Sequence, residues 1–289
     1  MTRLIYTIHF SPKELGINLS TYENAKPLDH NAWMMINKQK EYATRIGVDY
    51  QVIRPGDQFY QYLADTKEKL EIEDDYQVIQ HYKHFLMEKF THEYDEVLYL
   101  DLDVLPLGSQ NIFNEFDLNQ GLPTHGFTDD KIENIKNLAN GYLSYLPKSR
   151  SVCVKQALMT SLCVPDIEID TFTQPVYNTG IMLSNKHYAD QIDYTNSLLS
   201  YKQKIDRIKK QKYHFFADYI QEQYTTNNES IFSAIIHQKN IKTQPFTENW
   251  HYVHNHRNYK DSIPANVNLI HFISKRFEFA HISESFRQY

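Results

Sequence analysis

Tyr94–Pro106, with the sequence YDEVLYLDLDVLP, is the stretch that decides the fold of this 289-residue chain. Its apolar run Val97–Leu100 is typical of a strand that is buried on both faces of a sheet. The run ends in Asp101, Leu102 and Asp103. Because side chains alternate along a strand, we expect both carboxylates to project to one side and Leu102 to the other.

The two carboxylates predict a metal site. Like charges at the end of a buried strand repel each other and resist loss of hydration unless a cation compensates them. Hard oxygen ligands favour Mg²⁺ or Mn²⁺, which keep open positions for substrate phosphates. The alternative is a strand that runs out into a solvated acidic turn. The buried-strand context of Asp101 and Asp103 favours the metal site.

Length and composition indicate one large α/β core. Hydrophobic residues make up 41% of the chain and charged residues 23%, which is ordinary for a globular protein. The formal net charge of −6 argues against a nucleic-acid partner, because contacts to backbone phosphates require a basic surface.

The cysteine count and the apolar segments bear on the compartment. Cys153 and Cys163 are the only cysteines, which excludes a disulfide scaffold and favours two buried thiols in a reducing compartment. No apolar segment is long enough for a signal peptide or a membrane span. We therefore expect a cytoplasmic protein.

The first hundred residues have the pattern of a parallel sheet. Strands are predicted at Arg3–Phe10 and Val48–Arg54, on either side of a helix over Ala32–Ile46 with Trp33 and Ile36 on its apolar face. Strand, helix and strand at this spacing predict a right-handed βαβ unit, and hence an α/β fold with a mostly parallel central sheet flanked by helices.

Further elements are predicted along the chain. A helix over Asp75–Phe90 leads directly into the Asp-x-Asp strand. Ligands of open parallel sheets bind at the carboxyl ends of the strands, so we expect the N-terminal half to bind a nucleotide. The later predicted elements are a strand within Gly121–Asp130, a helix at Lys148–Leu162, a strand at Val176–Asn185, a basic helix at Asn196–Gln223, a helix at Asn228–His237 and a strand at Leu269–Phe272.

Three stretches carry a family resemblance. YDEVLYLDLDVLPLGSQNIF (94–113), VYNTGIMLSN (176–185) and NLIHFISK (268–275) resemble, in the same order, signatures of GT-A glycosyltransferases, particularly the glycogenin and galactosyltransferase-like family 8. The resemblance implies a single GT-A domain over 1–289, with a nucleotide-binding half at 1–106 and an acceptor-binding half at 107–289. It also implies a nucleotide-diphosphate sugar donor, UDP-linked, and a glycan, protein or lipid-linked acceptor.

The resemblance assigns roles around the metal. It implies that His271 completes the metal site with Asp101 and Asp103, and an imidazole ligand favours Mn²⁺ over Mg²⁺. Lys275 is implied to stabilise the leaving diphosphate, although the family's usual glycine, proline and tryptophan are absent around it and Arg276 could share the role. Lys83 lies where the family has a basic donor-binding residue. The alternative interpretation is that Lys83 is a solvated surface lysine.

Two further residues are implied to lie beside the sugar. Asn178 matches an asparagine or aspartate that hydrogen-bonds sugar hydroxyls, and the alternative is a structural asparagine at a strand entrance. Glu229 follows Asn228 at a predicted helix start where the family has Asp-Gln. A carboxylate there could be a nucleophile with retention or a base with inversion, or only a helix-start residue stabilised by the dipole. A front-face retaining reaction needs no protein nucleophile.

The nucleotide contacts are predicted in two places. Groups after the first strand, Tyr6, Thr7 and His9, are expected to hold the base, and Asp101 and Leu102 are expected to contact the donor.

Two clusters of polar residues received other interpretations. His251, His254 and His256 lie close together in NWHYVHNHRNY, where acceptor contacts or a polar loop are favoured over a zinc site. His81 and His84 are interpreted as surface residues of their helix.

The basic helix 196–223 offers a second kind of surface. Such a helix could lie on an anionic membrane, but a solvated amphipathic helix is favoured.

Two other functions remain open from the sequence. A nucleotidyltransferase also needs paired carboxylates and a metal, but Ile8-His9-Phe10-Ser11-Pro12 lacks a glycine-rich phosphate loop. A catalytically silent sugar-binding protein on the same fold is the rival from another class.

Overall fold

A computed structural model describes residues 1–15, 25–73, 75–127, 176–211, 227–254 and 263–273. The strands are β1 (Arg3–Ile8), β2 (Asp49–Ile53), β3 (Glu96–Leu100), β4 (Val104–Pro106), β5 (Leu122–Phe127), β6 (Val176–Asn178), β7 (Ile181–Ser184), β8 (Thr243–Pro245), β9 (Tyr252–Val253) and β10 (Leu269–His271). The helices are α1 (Pro12–Leu15), α2 (Ala25–Ile46), α3 (Asp57–Leu70), α4 (Asp75–Thr91), α5 (Ile112–Glu115), α6 (Lys186–Ile192), α7 (Tyr194–Gln211) and α8 (Asn228–Gln238).

The central sheet has four strands in the order β2-β1-β3-β7. β1 pairs in parallel with both β2 and β3, and β7 is antiparallel to β3. The residues Val97–Leu100 of β3 are buried, as their apolar run predicts. The βαβ unit of β1, α2 and β2 and the mostly parallel central sheet are therefore confirmed.

Two three-stranded sheets flank the carboxyl end of β3. In one, β10 pairs antiparallel with β4 and parallel with β9. In the other, β5 pairs antiparallel with β6 and parallel with β8. β6 and β7 are separated by Thr179 and Gly180, so this short connection joins the second small sheet to the central sheet. Polar side chains from three sheets thus meet at one edge.

Helix α2 differs from its prediction in start and in orientation. It begins at Ala25, seven residues before the predicted Ala32. Met35 and Ile36 pack in a second apolar cluster with Leu102, whereas Trp33 is 70% exposed. Ile36 therefore lies on the apolar face as predicted, and the prediction that Trp33 lies there is wrong.

Several elements were not predicted. Helix α3 begins after Pro55 and Gly56, and it buries Phe59, Tyr62 and Leu70. Helix α6 and the short strands β4, β8 and β9 were also missed.

Some of the further elements predicted along the chain are confirmed, and others lie outside the described residues. α4, α8 and β10 confirm the predicted helices and last strand to within one residue, and β5 lies within the predicted range. The predicted helix 148–162, both cysteines and residues 212–223 of the basic helix lie outside the described residues. None of the helices in the described ranges is long and apolar enough to cross a membrane.

Candidate metal centre and active site

The two aspartates lie in a tight turn after β3. The amide of Val104 donates to the carbonyl of Asp101 at 3.0 Å, which closes the turn Asp101–Val104. Leu102 packs in the second apolar cluster, and Asp103 is 1% exposed. The carboxylates therefore converge through a turn and not through the alternation of a continuing strand, which corrects the predicted geometry.

His271 approaches the two carboxylates from β10. The register of β10 and β4 places His271 opposite Val104, and the amide of Phe272 donates to the carbonyl of Asp103 at 2.9 Å. Nε2 of His271 lies 3.5 Å from Oδ2 of Asp103 and 3.9 Å from Oδ2 of Asp101.

These three side chains fit a divalent cation. One ligand atom from each of Asp101, Asp103 and His271 lies within 4.8 Å of the others. Two carboxylate oxygens and an imidazole nitrogen are a donor set that suits Mn²⁺. Asp103 and His271 are both buried, so a cation would compensate a charge that water reaches poorly.

Gly180 leaves the space that the His271 ring occupies. A Cβ atom built on Gly180 would lie 2.2 Å from Cε1 of His271. The carbonyl of Gly180 also accepts from the amide of Asp101 at 2.7 Å. The connection between β6 and β7 therefore packs directly against two of the three candidate ligands.

Lys83 supplies a positive charge beside Asp101. Its Nζ lies 3.4 Å from Oδ1 of Asp101 and donates to the carbonyl of Thr179 at 2.9 Å. Lys83 is 8% exposed, which contradicts the alternative of a solvated surface lysine. The hydroxyl of Tyr99 donates to the same carboxylate oxygen, and burial followed by the charge of Asp101 raises the pKa of Tyr99 well above its usual value.

Asn178 and Glu229 are in direct contact. Nδ2 of Asn178 donates to Oε1 of Glu229 at 2.8 Å, and Oδ1 of Asn178 accepts from the amide of Gly180 at 2.9 Å. Asn227 is the N-cap of α8, since its side chain accepts from the amide of Ser230 at 3.1 Å. Glu229 therefore lies in the first turn of α8, where the helix dipole favours a carboxylate.

Thr179 joins the two groups of side chains. Its carbonyl accepts from Lys83, and its amide faces Oε1 of Glu229 at 3.4 Å. Its hydroxyl accepts from Nδ2 of Asn228 at 2.8 Å. The candidate metal ligands and the Asn178–Glu229 pair are thus attached to the same connection between β6 and β7.

The residues predicted to hold the base are mostly buried. The ring of Tyr6 packs against Phe90 and Tyr99, and its hydroxyl donates to the carbonyl of Lys83 at 2.6 Å. Tyr6 and Thr7 are both 0% exposed, so their side chains do not reach a ligand, and the prediction that groups of this segment hold the base now depends on its main chain. They point into the core because β1 is the inner strand between β2 and β3.

His9 and Leu102 have limited access as well. His9 is almost fully buried at the carboxyl end of β1, and its ring contacts Arg54. The side chain of Leu102 packs in the second apolar cluster, which leaves its main chain as the part that a donor could meet.

The interpretation of His81 and His84 as surface residues is wrong. Both are buried, because α4 packs against α7 as well as against the central sheet. The ring of His84 stacks on Tyr194 at 3.9 Å, and Nδ1 of His81 lies 2.7 Å from the hydroxyl of Tyr194. Burial, with smaller effects from Lys83 and His81, lowers the pKa of His84 well below its usual value.

His251 and His254 are buried instead of lying in a polar loop. Nε2 of His251 lies 3.1 Å from Nδ1 of His271, and the ring of His125 lies 4.3 Å from that of His251. Burial is the main reason that the pKa of His125 falls to about 4. His256, Lys275 and Arg276 lie outside the described residues.

Sequence reasoning missed four residues of this site. They are Tyr99, His125, Thr179 and His251 in its contact with His271. Tyr99 lies two residues before Asp101, near the end of β3, and Thr179 precedes a glycine in VYNTGIMLSN, so both carried a local signal. His125 and His251 depend on the pairing of short strands that no local pattern predicts.

Comparisons with known proteins give a fold but no family. No family model matches the sequence, and no curated protein sequence matches it. The bifunctional glycosyltransferase WbbM superimposes with a TM-score of 0.50 at 12% identity, over 94% of this chain and 46% of that chain.

Two further solved structures are similar. Mouse xyloside xylosyltransferase 1 has a TM-score of 0.47 at 13% identity, over 94% of this chain and 98% of that chain. A glycosyltransferase involved in the glycosylation of the major capsid of PBCV-1 has a TM-score of 0.45 at 11% identity, over 98% of this chain and 100% of that chain. The likeness to WbbM and the mixed sheets of this chain confirm the predicted α/β fold of the GT-A class, and membership of family 8 stays a prediction.

Proposed function

We propose that the chain is a metal-dependent glycosyltransferase. It moves a hexose or pentose from a UDP-linked nucleotide sugar to a glycan, protein or lipid-linked acceptor, with retention of configuration. The convergence of Asp101, Asp103 and His271 at the carboxyl end of β3 carries this proposal. That end of a parallel sheet is where open α/β folds bind their ligands.

Asp101, Asp103 and His271 would hold Mn²⁺ or Mg²⁺. When bound, this ion would stabilise the negative charge that develops on the departing diphosphate. Lys83 holds the carboxylate of Asp101 in place and lies within reach of the same charge. Lys275 adds a second cation in the proposal, on the resemblance of NLIHFISK alone.

Asn178 and Glu229 act on the sugar in this proposal. The contact of Asn178 with both Glu229 and Gly180 fixes its amide, so that its remaining N–H can read a sugar hydroxyl. The Glu229 carboxylate attacks the anomeric carbon while the bond from that carbon to the diphosphate oxygen breaks, and the diphosphate leaves with the electron pair. The acceptor hydroxyl then displaces Glu229 from the same carbon and gives its proton to the diphosphate.

The geometry supports these roles through one residue. Thr179 faces Glu229 with its amide and Lys83 with its carbonyl, so the proposed nucleophile and the cation beside Asp101 flank a single residue. Reacting groups that are preorganised in this way lose little entropy on reaching the transition state.

The test is a panel of nucleotide-diphosphate sugars, incubated with the purified chain and either Mn²⁺, Mg²⁺ or EDTA. We expect release of nucleoside diphosphate from one donor class only when a metal is present. Binding of donor without any hydrolysis or transfer would instead indicate a catalytically silent sugar-binding protein. Equal release with EDTA would overturn the metal-dependent function.

A further inference from the structure

His251 lies directly behind the candidate ligand His271. It precedes β9, which pairs in parallel with β10, with Val253 opposite His271. This pairing places Nε2 of His251 at 3.1 Å from Nδ1 of His271, with an angle of 33° between the two rings. His251 is 1% exposed, so water does not compete for this contact.

The two nitrogens of His271 face different partners. Nε2 faces the carboxylates of Asp101 and Asp103, and Nδ1 faces His251. A nitrogen that binds a cation must offer a lone pair, so the proton of a neutral ring has to lie on the other nitrogen. That Nδ1–H group points at Nε2 of His251, which can accept it.

We propose that His251 is a positioning residue of the metal site. It accepts a hydrogen bond from Nδ1 of His271 and thereby holds Nε2 of His271 toward the two aspartates. The inference rests on the proposed function, because it concerns the same metal site. Partners of this kind fix both the tautomer and the orientation of a metal-binding histidine.

Packing alone does not explain a histidine at this position. Nδ1 of His251 is buried and has no hydrogen-bond partner among the described residues. A buried polar atom without a partner destabilises a fold, so a phenylalanine would fill the same space at lower cost. The polar contact to His271 is what a phenylalanine could not supply.

Neighbouring groups leave the His271 ring little freedom. Gly180 lies against one part of the ring, at a distance that would not accommodate a Cβ atom. His251 lies at Nδ1, and the ring of His125 packs against His251 at 4.3 Å. His251 therefore contacts both His125 of the β5 sheet and the candidate metal ligand His271.

The experiment measures the affinity of the full chain for Mn²⁺ by titration calorimetry. His251→Phe keeps an aromatic ring and its burial but removes the acceptor. We expect the affinity for Mn²⁺ to fall about 10- to 100-fold, as is typical when the hydrogen-bond partner of a metal ligand is removed. His251→Gln places an amide oxygen near the position of Nε2 and should bind within a few fold of the wild type.

His254→Phe is the matched control. His254 is buried in the same segment, its ring packs against Phe272, and its amide donates to the carbonyl of His271. This variant should keep the affinity of the wild type. Thermal unfolding of each metal-free variant shows whether the fold persists.

A second measurement reports the tautomer itself. Nitrogen-15 NMR of the Mg²⁺-loaded chain should show the proton of His271 on Nδ1, and this population should fall in His251→Phe. Unchanged affinity and unchanged tautomer in that variant would overturn the role of His251 while leaving the metal site intact. A wild-type chain that binds neither ion would overturn the proposed metal site, and the inference with it.

Discussion

A Cβ atom on Gly180 would lie 2.2 Å from Cε1 of His271. The glycine comes from the connection between β6 and β7, and the histidine comes from β10, ninety-one positions later in the sequence. The candidate metal centre therefore depends on the absence of a side chain at one position. Because Gly180 does not have a positive φ angle, its role is to leave space and not to allow an unusual backbone.

Gly180→Ala should weaken metal binding without unfolding the chain. The added methyl group must displace the His271 ring from its present position beside Asp101 and Asp103, since no atom comes closer than about 3 Å to a Cβ without a shift. We expect Mn²⁺ affinity to fall at least about tenfold. Gly56→Ala is the control, because nothing lies within 4 Å of a Cβ there. Equal affinities in both variants would contradict the steric argument.

Asp103→Asn should abolish the stabilisation by UDP and Mn²⁺ together. In the wild type we expect UDP to raise the Tm strongly only when the metal is present, because a ligand of the native state alone stabilises that state. The variant removes one buried negative charge and one ligand atom but also relieves repulsion with Asp101. Thermal shift assays with Mn²⁺ and with EDTA measure this. Asp65→Asn, an exposed carboxylate on α3, is the control.

Lys83→Met should make the stability of the chain more dependent on metal. The variant keeps the length of the side chain but leaves Asp101 without its cation and the carbonyl of Thr179 without its donor. We expect the metal-free protein to lose about 1–3 kcal/mol of stability. Mn²⁺ should then raise the Tm by more than in the wild type. Lys89→Met, at an exposed lysine of the same helix, should change neither quantity.

The sequence predicted the parts of the fold that local patterns determine. Val97–Leu100 is buried because an unbroken apolar run fits only an inner strand, and the Asp-x-Asp segment follows it directly. Helix α3 was missed because Pro55 and Gly56 indicate a turn and its N-cap glycine offers no side-chain hydrogen bond.

The sequence predicted those residues of the candidate site that lie in a local motif, but not the contacts that join distant segments of the chain. The convergence of Asp101 and Asp103 depends on a turn whose closing hydrogen bond is a backbone contact. Lys83 was left open between a surface role and a site role, because its burial depends on Asp101 and Thr179, which lie far away in sequence. His251 reaches His271 through the pairing of two strands of two and three residues.

His84→Phe should reduce the loss of stability at acidic pH. The folded-state pKa of His84 lies well below its usual value, mainly through burial. As the pH falls below about 6.5, the unfolded chain binds a proton that the folded chain does not, so the free energy of unfolding falls. Replacing His84 should flatten this dependence by at most about 1.4 kcal/mol per pH unit. Denaturant unfolding between pH 8 and pH 5 measures it.

Other titratable groups near His84 also affect how the stability of the chain depends on pH. His84 is flanked by Lys83, His81 and Tyr194, and Glu88 lines the same small cavity. Burial raises the pKa of Glu88, which acts in the opposite direction on acidification. The difference between variant and wild type, and not the slope of either, therefore reports His84. Identical slopes would show that His84 does not remain neutral in the folded chain.

Glu229→Gln separates a structural carboxylate from a reacting one. Glutamine can keep the acceptor for Asn178 and Thr179, so a helix-start role predicts a stability loss of about 1 kcal/mol at most and nearly full activity. If Glu229 is instead the nucleophile or the base, the variant should lose several orders of magnitude in rate while its stability is nearly unchanged. We expect the large loss of rate, together with a product whose anomeric configuration, determined by NMR, matches the donor. Inversion would make Glu229 a base, and full activity in the variant would leave only a front-face reaction as the retaining route.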